Sequence, residues 1–193
     1  MYLVLEGIDT CGKSTQVAKL AELYPTAIIT KEPGATELGS QLRELVLFTP
    51  DLDLHTEFLL FLADRSNHCD KVIKPNLDKI IISDRSLISG MAYALASKKF
   101  DLEWLEQLNR FAMHDIMPDK IVLFQISKEG LTSRLSEKKA DNIEARGIEY
   151  MLNVQRELKN VAEYLKIETL LVNAEDSIET IHQQINEFIQ KGK

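Results

Sequence analysis

Five short apolar runs are separated by longer segments in which apolar residues recur every three or four positions. The runs read as strands at Tyr2 to Leu5, Ala27 to Thr30, Lys79 to Ser83, Lys120 to Ile126 and Thr169 to Val172. The amphipathic segments predict helices over Lys13 to Leu23, Glu37 to Leu47, Leu54 to Ile73, Ile88 to Ser97 and Leu102 to Met113, then over about 129–136, 144–165 and 177–190. The third run, KIIIS, keeps its charge outside the apolar stretch, as a strand buried on both faces does. Strands alternating with helices predict an α/β fold, a three-layer sandwich in which helices cover both faces of a five-stranded parallel sheet. Ligands of such sheets bind at the carboxyl ends of the strands. Chemistry is therefore expected just after the first, second and third strands.

Composition narrows the partners. A chain of 193 residues suits one domain with a sizeable core, and no repeat or linker divides it. The net charge of −7 argues against nucleic acid or an anionic membrane, which call for a basic face. A small anion held by a few local amides and cations stays open. The two cysteines, Cys11 and Cys69, cannot build a disulfide framework and read as reduced thiols. The opening MYLVLEG has no basic leader, and the most apolar stretch, FLLFLA at 58–63, has the length of a core helix rather than a membrane span. A cytoplasmic protein is the expectation. The four histidines show no metal-ligand spacing.

The strongest motif follows the first strand. Gly7-Ile8-Asp9-Thr10-Cys11-Gly12-Lys13-Ser14 satisfies G-x-x-x-x-G-K-[ST], with a strand before it and a helix after it. Gly7 and Gly12 permit backbone angles that turn successive N–H groups inward around a phosphate. The helix N-terminus adds a favourable field. Lys13 can reach the β- and γ-phosphates, and the Ser14 hydroxyl can join a Mg²⁺ shell. The loop, with Thr15 behind it, is thus a candidate ATP site of the P-loop NTPase type. A P-loop alone names no substrate.

Further motifs carry a resemblance. The opening V-L-E-G-I-D, then G12-K-S-T-Q16, K31-E-P-G34, F61-L-A-D-R65, S83-D-R85 and S89-G-M-A-Y93 together resemble the thymidylate kinase family. The match is close as far as Tyr93 and looser through D141-N-I-E144; the last third matches in pattern only. The resemblance implies ATP- and Mg²⁺-dependent phosphorylation of dTMP to dTDP, with Arg85 gripping the acceptor phosphate and Asp84 near the metal or its waters. Asp9 is implied near the acceptor sugar or phosphate and the metal. Arg43 is implied to reach the acceptor phosphate, although a surface arginine would look the same. Glu32 would tether Arg85 or the metal shell, with Pro33 stiffening the loop. Phe61 and Arg65, four apart on one helical face, would stack on thymine and bond a carbonyl at its edge; by spacing alone Phe61 is a core aromatic. Ser89 and Tyr93 would line the base and sugar side, Tyr93 crowding a ribose 2′-hydroxyl. Arg134 is expected against adenine or the donor phosphates. A homodimer is implied as well.

The chain departs from the family pattern in places. Thr10 and Cys11 stand where many members place a P-loop arginine, and the lid candidate, about 136–146, has Asn142 where an arginine is common. Lys138, Lys139 or Arg146 is expected to supply the closing cation, although two lysines on a solvated face look no different. Gly90 replaces a polar residue of the acceptor pocket, which would loosen contact with the base edge. Rival functions are a kinase for another nucleotide or a deoxynucleoside, and a P-loop switch without transfer. The absence of an N-K-x-D motif weighs against a guanine-reading switch.

Overall fold

A computed structural model describes residues 1–135 and 147–191. Five parallel strands, β1 (Tyr2–Glu6), β2 (Ile28–Lys31), β3 (Ile81–Asp84), β4 (Lys120–Gln125) and β5 (Glu168–Asn173), lie in the order β2-β3-β1-β4-β5. Every residue of β1 and the first five of β4 are buried, so both faces of the central sheet are covered. The strands at the two edges, β2 and β5, are mostly half-buried or exposed, with one buried residue each. The expected α/β sandwich is therefore present. Strand ends move by no more than two residues from the predicted bounds.

Among the described residues the α-helices are α1 (Lys13–Leu23), α2 (Glu37–Phe48), α3 (Leu54–His68), α4 (Leu87–Ala96), α5 (Leu102–Ala112), α6 (Lys128–Leu135), α7 (Ile148–Leu165) and α8 (Ile178–Gln190). Helix α1 packs with α8, while α2, α3, α4, α5 and α7 pack in a chain of neighbours. Local chemistry sets several starts. Asp53, Thr36, Asp101 and Ser177 each accept a hydrogen bond from an amide in the first turn of their helix, worth about 1 kcal/mol apiece. Helix α1 differs: Gly12 caps it with no side chain, which leaves its first amides for something else.

One helix was expected from Leu54 to Ile73. Its α-helical part ends at His68, passes through a π-helical turn at Cys69–Ile73 and closes in a 3₁₀ turn at Lys74–Asn76. Pro75 lacks the amide needed to continue an α-helix and forces the chain out of it. The helix expected from 144 begins at Ile148 among the described residues, directly after Gly147 at φ 92°. The lid candidate, including Lys138, Lys139, Asn142 and Arg146, lies outside the described residues.

Register is what builds the site. Leu5 lies opposite Asp84, and Lys31 is opposite the same residue on its other side. Beyond the strand ends, Arg85 N–H donates to Leu5 O at 3.0 Å and Glu32 N–H to Asp84 O at 2.9 Å. The loops after β1, β2 and β3 therefore leave the sheet side by side.

Candidate active site

The loop after β1 wraps tightly. Gly7 sits at φ 155°, and a β-carbon there would lie 2.8 Å from Cys11 Sγ and 3.0 Å from Phe124 Cβ, so no larger residue fits. Ile8 and Cys11 are buried in the core, which leaves their amides rather than their side chains for a ligand. Lys13 folds over the loop and donates from Nζ to Gly7 O at 3.0 Å and Ile8 O at 2.9 Å. Ser14 Oγ donates to Asp84 Oδ2 at 3.1 Å. A hydroxyl beside one carboxylate suits Mg²⁺, which keeps several waters and takes phosphate oxygens as further ligands. No cluster of three or more His, Cys, Asp or Glu that would hold a metal by itself occurs among the described residues. Arg134 donates to Thr10 O at 2.9 Å and Ala174 O at 2.6 Å, so it ties the P-loop to the turn after β5. It lines neither of the two cavities described next.

Two cavities meet over the strand ends. The first is lined by Asp9, Glu32, Pro33, Arg43, Phe61, Arg65, Arg85, Ser89, Gly90 and Tyr93, together with Leu47 and Ser86. The second is polar and runs along Thr10, Gly12, Lys13, Ser14, Thr15 and Asp84, with Lys31 at its side. Asp9, Glu32, Arg43 and Arg85 line both, so the two are continuous. All ten residues expected to hold the acceptor thus share one cleft, and it opens onto the P-loop.

Arg85 stands at the junction. Its Nη2 pairs with Asp9 Oδ1 at 2.6 Å, and its Nη1 donates to Gly7 O at 2.5 Å and Ser89 Oγ at 3.1 Å. Its guanidinium carbon lies 5.8 Å from the centre of the Tyr93 ring. Burial opposes the charge, but Tyr93, Asp9, Asp84 and Glu6 around it hold its pKa well above the ordinary value. Burial likewise keeps the Tyr93 hydroxyl protonated. Arg43 reaches the cleft from α2, anchored through Nη1 to Pro33 O at 3.2 Å. Gly34, at φ 98°, makes room for it, since a β-carbon there would sit 3.0 Å from Arg43 Cδ.

Glu32 does not do what its position suggested. It tethers neither Arg85, which pairs with Asp9, nor the Ser14–Asp84 pair. Its Oε2 accepts from Arg65 Nε at 2.9 Å and its Oε1 meets His68 Nδ1 at 2.8 Å. Burial alone would raise its pKa; Arg65 and His68 hold it below the usual carboxylate range. Both oxygens are therefore committed to α3. Arg65 is fixed further by Asn109 Oδ1 at 2.7 Å and Ser86 O at 3.2 Å. Those bonds use three of five guanidinium hydrogens, and two remain for a ligand in the cleft. Nearby, burial and the Glu32 charge push the Asp64 carboxyl up to about 6, while it accepts from Gly34 N–H at 3.1 Å.

Gly90 is explained by Arg65. A β-carbon at position 90 would lie 2.7 Å and 2.8 Å from its two terminal nitrogens. Where a polar side chain was missed, the arginine itself occupies the space. Gly90→Ala is expected to raise KM for the acceptor about tenfold, roughly 1.4 kcal/mol, with KM for ATP unchanged. Steady-state kinetics in both substrates checks this.

Sequence reasoning passed over Glu6, Lys31, Leu47, His68, Ser86 and Asn109. Two carried a signal. His68 continues the face of Phe61 and Arg65 at i, i+4, i+7, and Asn109 is a polar residue among the buried positions Leu105 and Ala112 of α5.

Comparison with known proteins agrees with this geometry. The family model described as thymidylate kinase matches residues 5–185. A Wolinella succinogenes protein named thymidylate kinase is 51% identical over 193 residues, covering 100% of both chains. One from Sulfurovum sp. is 49% identical over 190 residues, 98% of this chain and 100% of that one. The crystal structure of thymidylate kinase from Ehrlichia chaffeensis superposes with a TM-score of 0.79 at 26% identity, covering 98% of each chain. With a P-loop, an arginine-lined cleft that opens onto it and a match along nearly its whole length, the chain belongs to the thymidylate kinase family.

Proposed function

We propose that the protein transfers the γ-phosphoryl group of ATP to dTMP, giving dTDP and ADP. The observation that carries this reading is the continuity of the two cavities, with Arg85 and Asp9 at their junction. An acceptor phosphate there faces the donor phosphates over the P-loop. An oxygen of dTMP attacks the γ-phosphorus as the bond to the β–γ bridging oxygen breaks. The acceptor is already an oxyanion near neutral pH, its second pKa being about 6, so no general base is needed. What the chain supplies is alignment and positive charge.

Each residue has a task in this reading. Lys13 and the loop amides hold the β- and γ-phosphates. Arg85 and Arg43 hold the acceptor phosphate against its repulsion from the donor. Phe61 covers the face of the thymine, Arg65 offers its two remaining hydrogens to a ring carbonyl, and Tyr93 with Ser89 bounds the sugar. Ser14 and Asp84 would hold Mg²⁺, which supplies charge neutralisation on the phosphates. The test is ADP formation from ATP·Mg²⁺ with dTMP, dUMP, dCMP, UMP, AMP, GMP and thymidine in parallel. A preference for dTMP is expected, and loss of turnover with excess EDTA. Preference for another acceptor defeats the substrate, and no turnover with any favours a switch.

Chain 1–193 acts here as one domain whose segment 136–146 serves as a lid, with Lys138, Lys139 or Arg146 as the closing cation. At least one of the three single alanine variants is expected to lower kcat about tenfold or more, roughly 1.4 kcal/mol. The working form is a cytoplasmic homodimer. No helix among the described residues is long and apolar enough to cross a membrane. Large exposed apolar side chains stand on α3 and on α2 and α5, which both pack against it: Phe48 is 68%, Leu59 59% and Phe111 81% exposed. This side of the molecule is the interface in that reading. Phe111→Glu is expected to shift the sedimenting mass from dimer towards monomer.

A further inference from the structure

Beneath the acceptor cleft lies a carboxylate that no step above uses. Glu6 ends β1 and is fully buried. Its Oε1 accepts from the amides of Ser86 at 2.8 Å and Ser89 at 3.3 Å, and its Oε2 accepts from the Ser89 hydroxyl. Ser86 is the N-cap of α4, yet its side chain makes no capping bond; its hydroxyl is 2.9 Å from Tyr2 Oη instead. A carboxylate borrowed from the neighbouring strand therefore caps α4, where negative charge also suits the helix dipole.

The same contacts impose a direction. In its ionised form this carboxylate can only accept, and the proton of Ser89 then points at Glu6. Only the lone pairs of Ser89 Oγ are then left for Arg85, whose Nη1 donates to it at 3.1 Å. The other end of that guanidinium is fixed by Asp9. Arg85 is thus clamped between Asp9 on the P-loop and a serine whose orientation is set from below.

We propose that Glu6 is a positioning residue: by orienting the Ser89 hydroxyl it holds Arg85 where the acceptor phosphate binds. This rests on the reading of the cleft as the dTMP site. Glutamine at position 6 has nearly the same shape but presents hydrogens as well as an acceptor. It must oppose either the α4 amides or the Ser89 hydroxyl, and turning that hydroxyl aims its proton at Arg85. Burial pushes the Glu6 carboxyl up to about 7, against the pull of Ser89, Arg85 and the Ser86 amide.

The test is a kinetic cycle. Turnover of dTMP by the wild-type chain tests the acceptor reading itself; the variants test the relay. Glu6→Gln is expected to lower kcat/KM for dTMP at least tenfold while KM for ATP stays within twofold. A general loss of packing would move both substrates. Because Glu6 acts through Ser89, the double variant Glu6→Gln/Ser89→Ala should lose no more than about twofold beyond the worse single variant. Multiplying losses, or a Glu6→Gln enzyme within twofold of wild type for dTMP, would overturn the proposal. Should Glu6→Gln fail to fold, Glu6→Asp decides, since it keeps the charge and shortens the reach to Ser89. A tenfold loss for dTMP with KM for ATP preserved is then expected, and a change under twofold overturns the relay.

Discussion

Arg85→Ala is expected to lower kcat/KM for dTMP about 10³-fold, near 4 kcal/mol, with KM for ATP within about threefold. Arg85 is poised at some cost: its backbone lies at φ 71°, a region that costs a side-chain-bearing residue about 1–3 kcal/mol. The bond from its own amide to Leu5 O and the side-chain bonds to Asp9, Ser89 and Gly7 hold it there. Its removal would take away the charge that offsets the repulsion of two anions, and it breaks the Arg85–Asp9 ion pair. Arg85→Lys keeps the charge and loses the planar fork, so a loss of about 10²-fold is expected. Steady-state kinetics in both substrates checks each value. Loss confined to acceptor terms identifies Arg85 with the acceptor side.

Lys13→Met gives the opposite signature. A loss of about 10³-fold in kcat is expected together with weaker ATP binding, while dTMP binding stays within threefold, measured by calorimetry for each ligand. Lys13 has two jobs. It braces the loop through the carbonyls of Gly7 and Ile8. The same ammonium would face the phosphates that the loop would cradle, and it is only 6% exposed, so its field is little screened by water. Methionine fills the space without charge or donors.

Much of the fold was legible because it follows from local pattern. The β1 and β4 runs are buried throughout, and α1, α3, α5 and α8 start where their cap residues or glycine stand. The order β2-β3-β1-β4-β5 was not legible, since periodicity carries no information about which strands become neighbours. The π-helical turn at Cys69–Ile73 was hidden for a related reason: its apolar spacing continues that of α3, and only Pro75 hints at the change.

The site divides in the same way. The turn that carries Gly7, Gly12, Lys13 and Ser14 was readable because its strand–loop–helix context is local. That Phe61, Arg65, Arg85 and Tyr93 share one cleft was readable only from the motifs taken as a set. The partners that fix them were not, because they come from distant elements. Glu32 went to Arg65 and His68 rather than Arg85; Asn109, from α5, reaches across to α3; Glu6 acts on α4 from β1. Gly90 looked like a lost contact until Arg65 was found in its place.

A crystal structure of the chain with dTMP bound tests the central claim most directly. The account predicts the acceptor phosphate on Arg85 and Arg43, the thymine against Phe61 with a ring carbonyl on Arg65, and the sugar beside Tyr93. A nucleotide whose phosphate sits in the P-loop, or whose base lies away from Phe61 and Arg65, would contradict it.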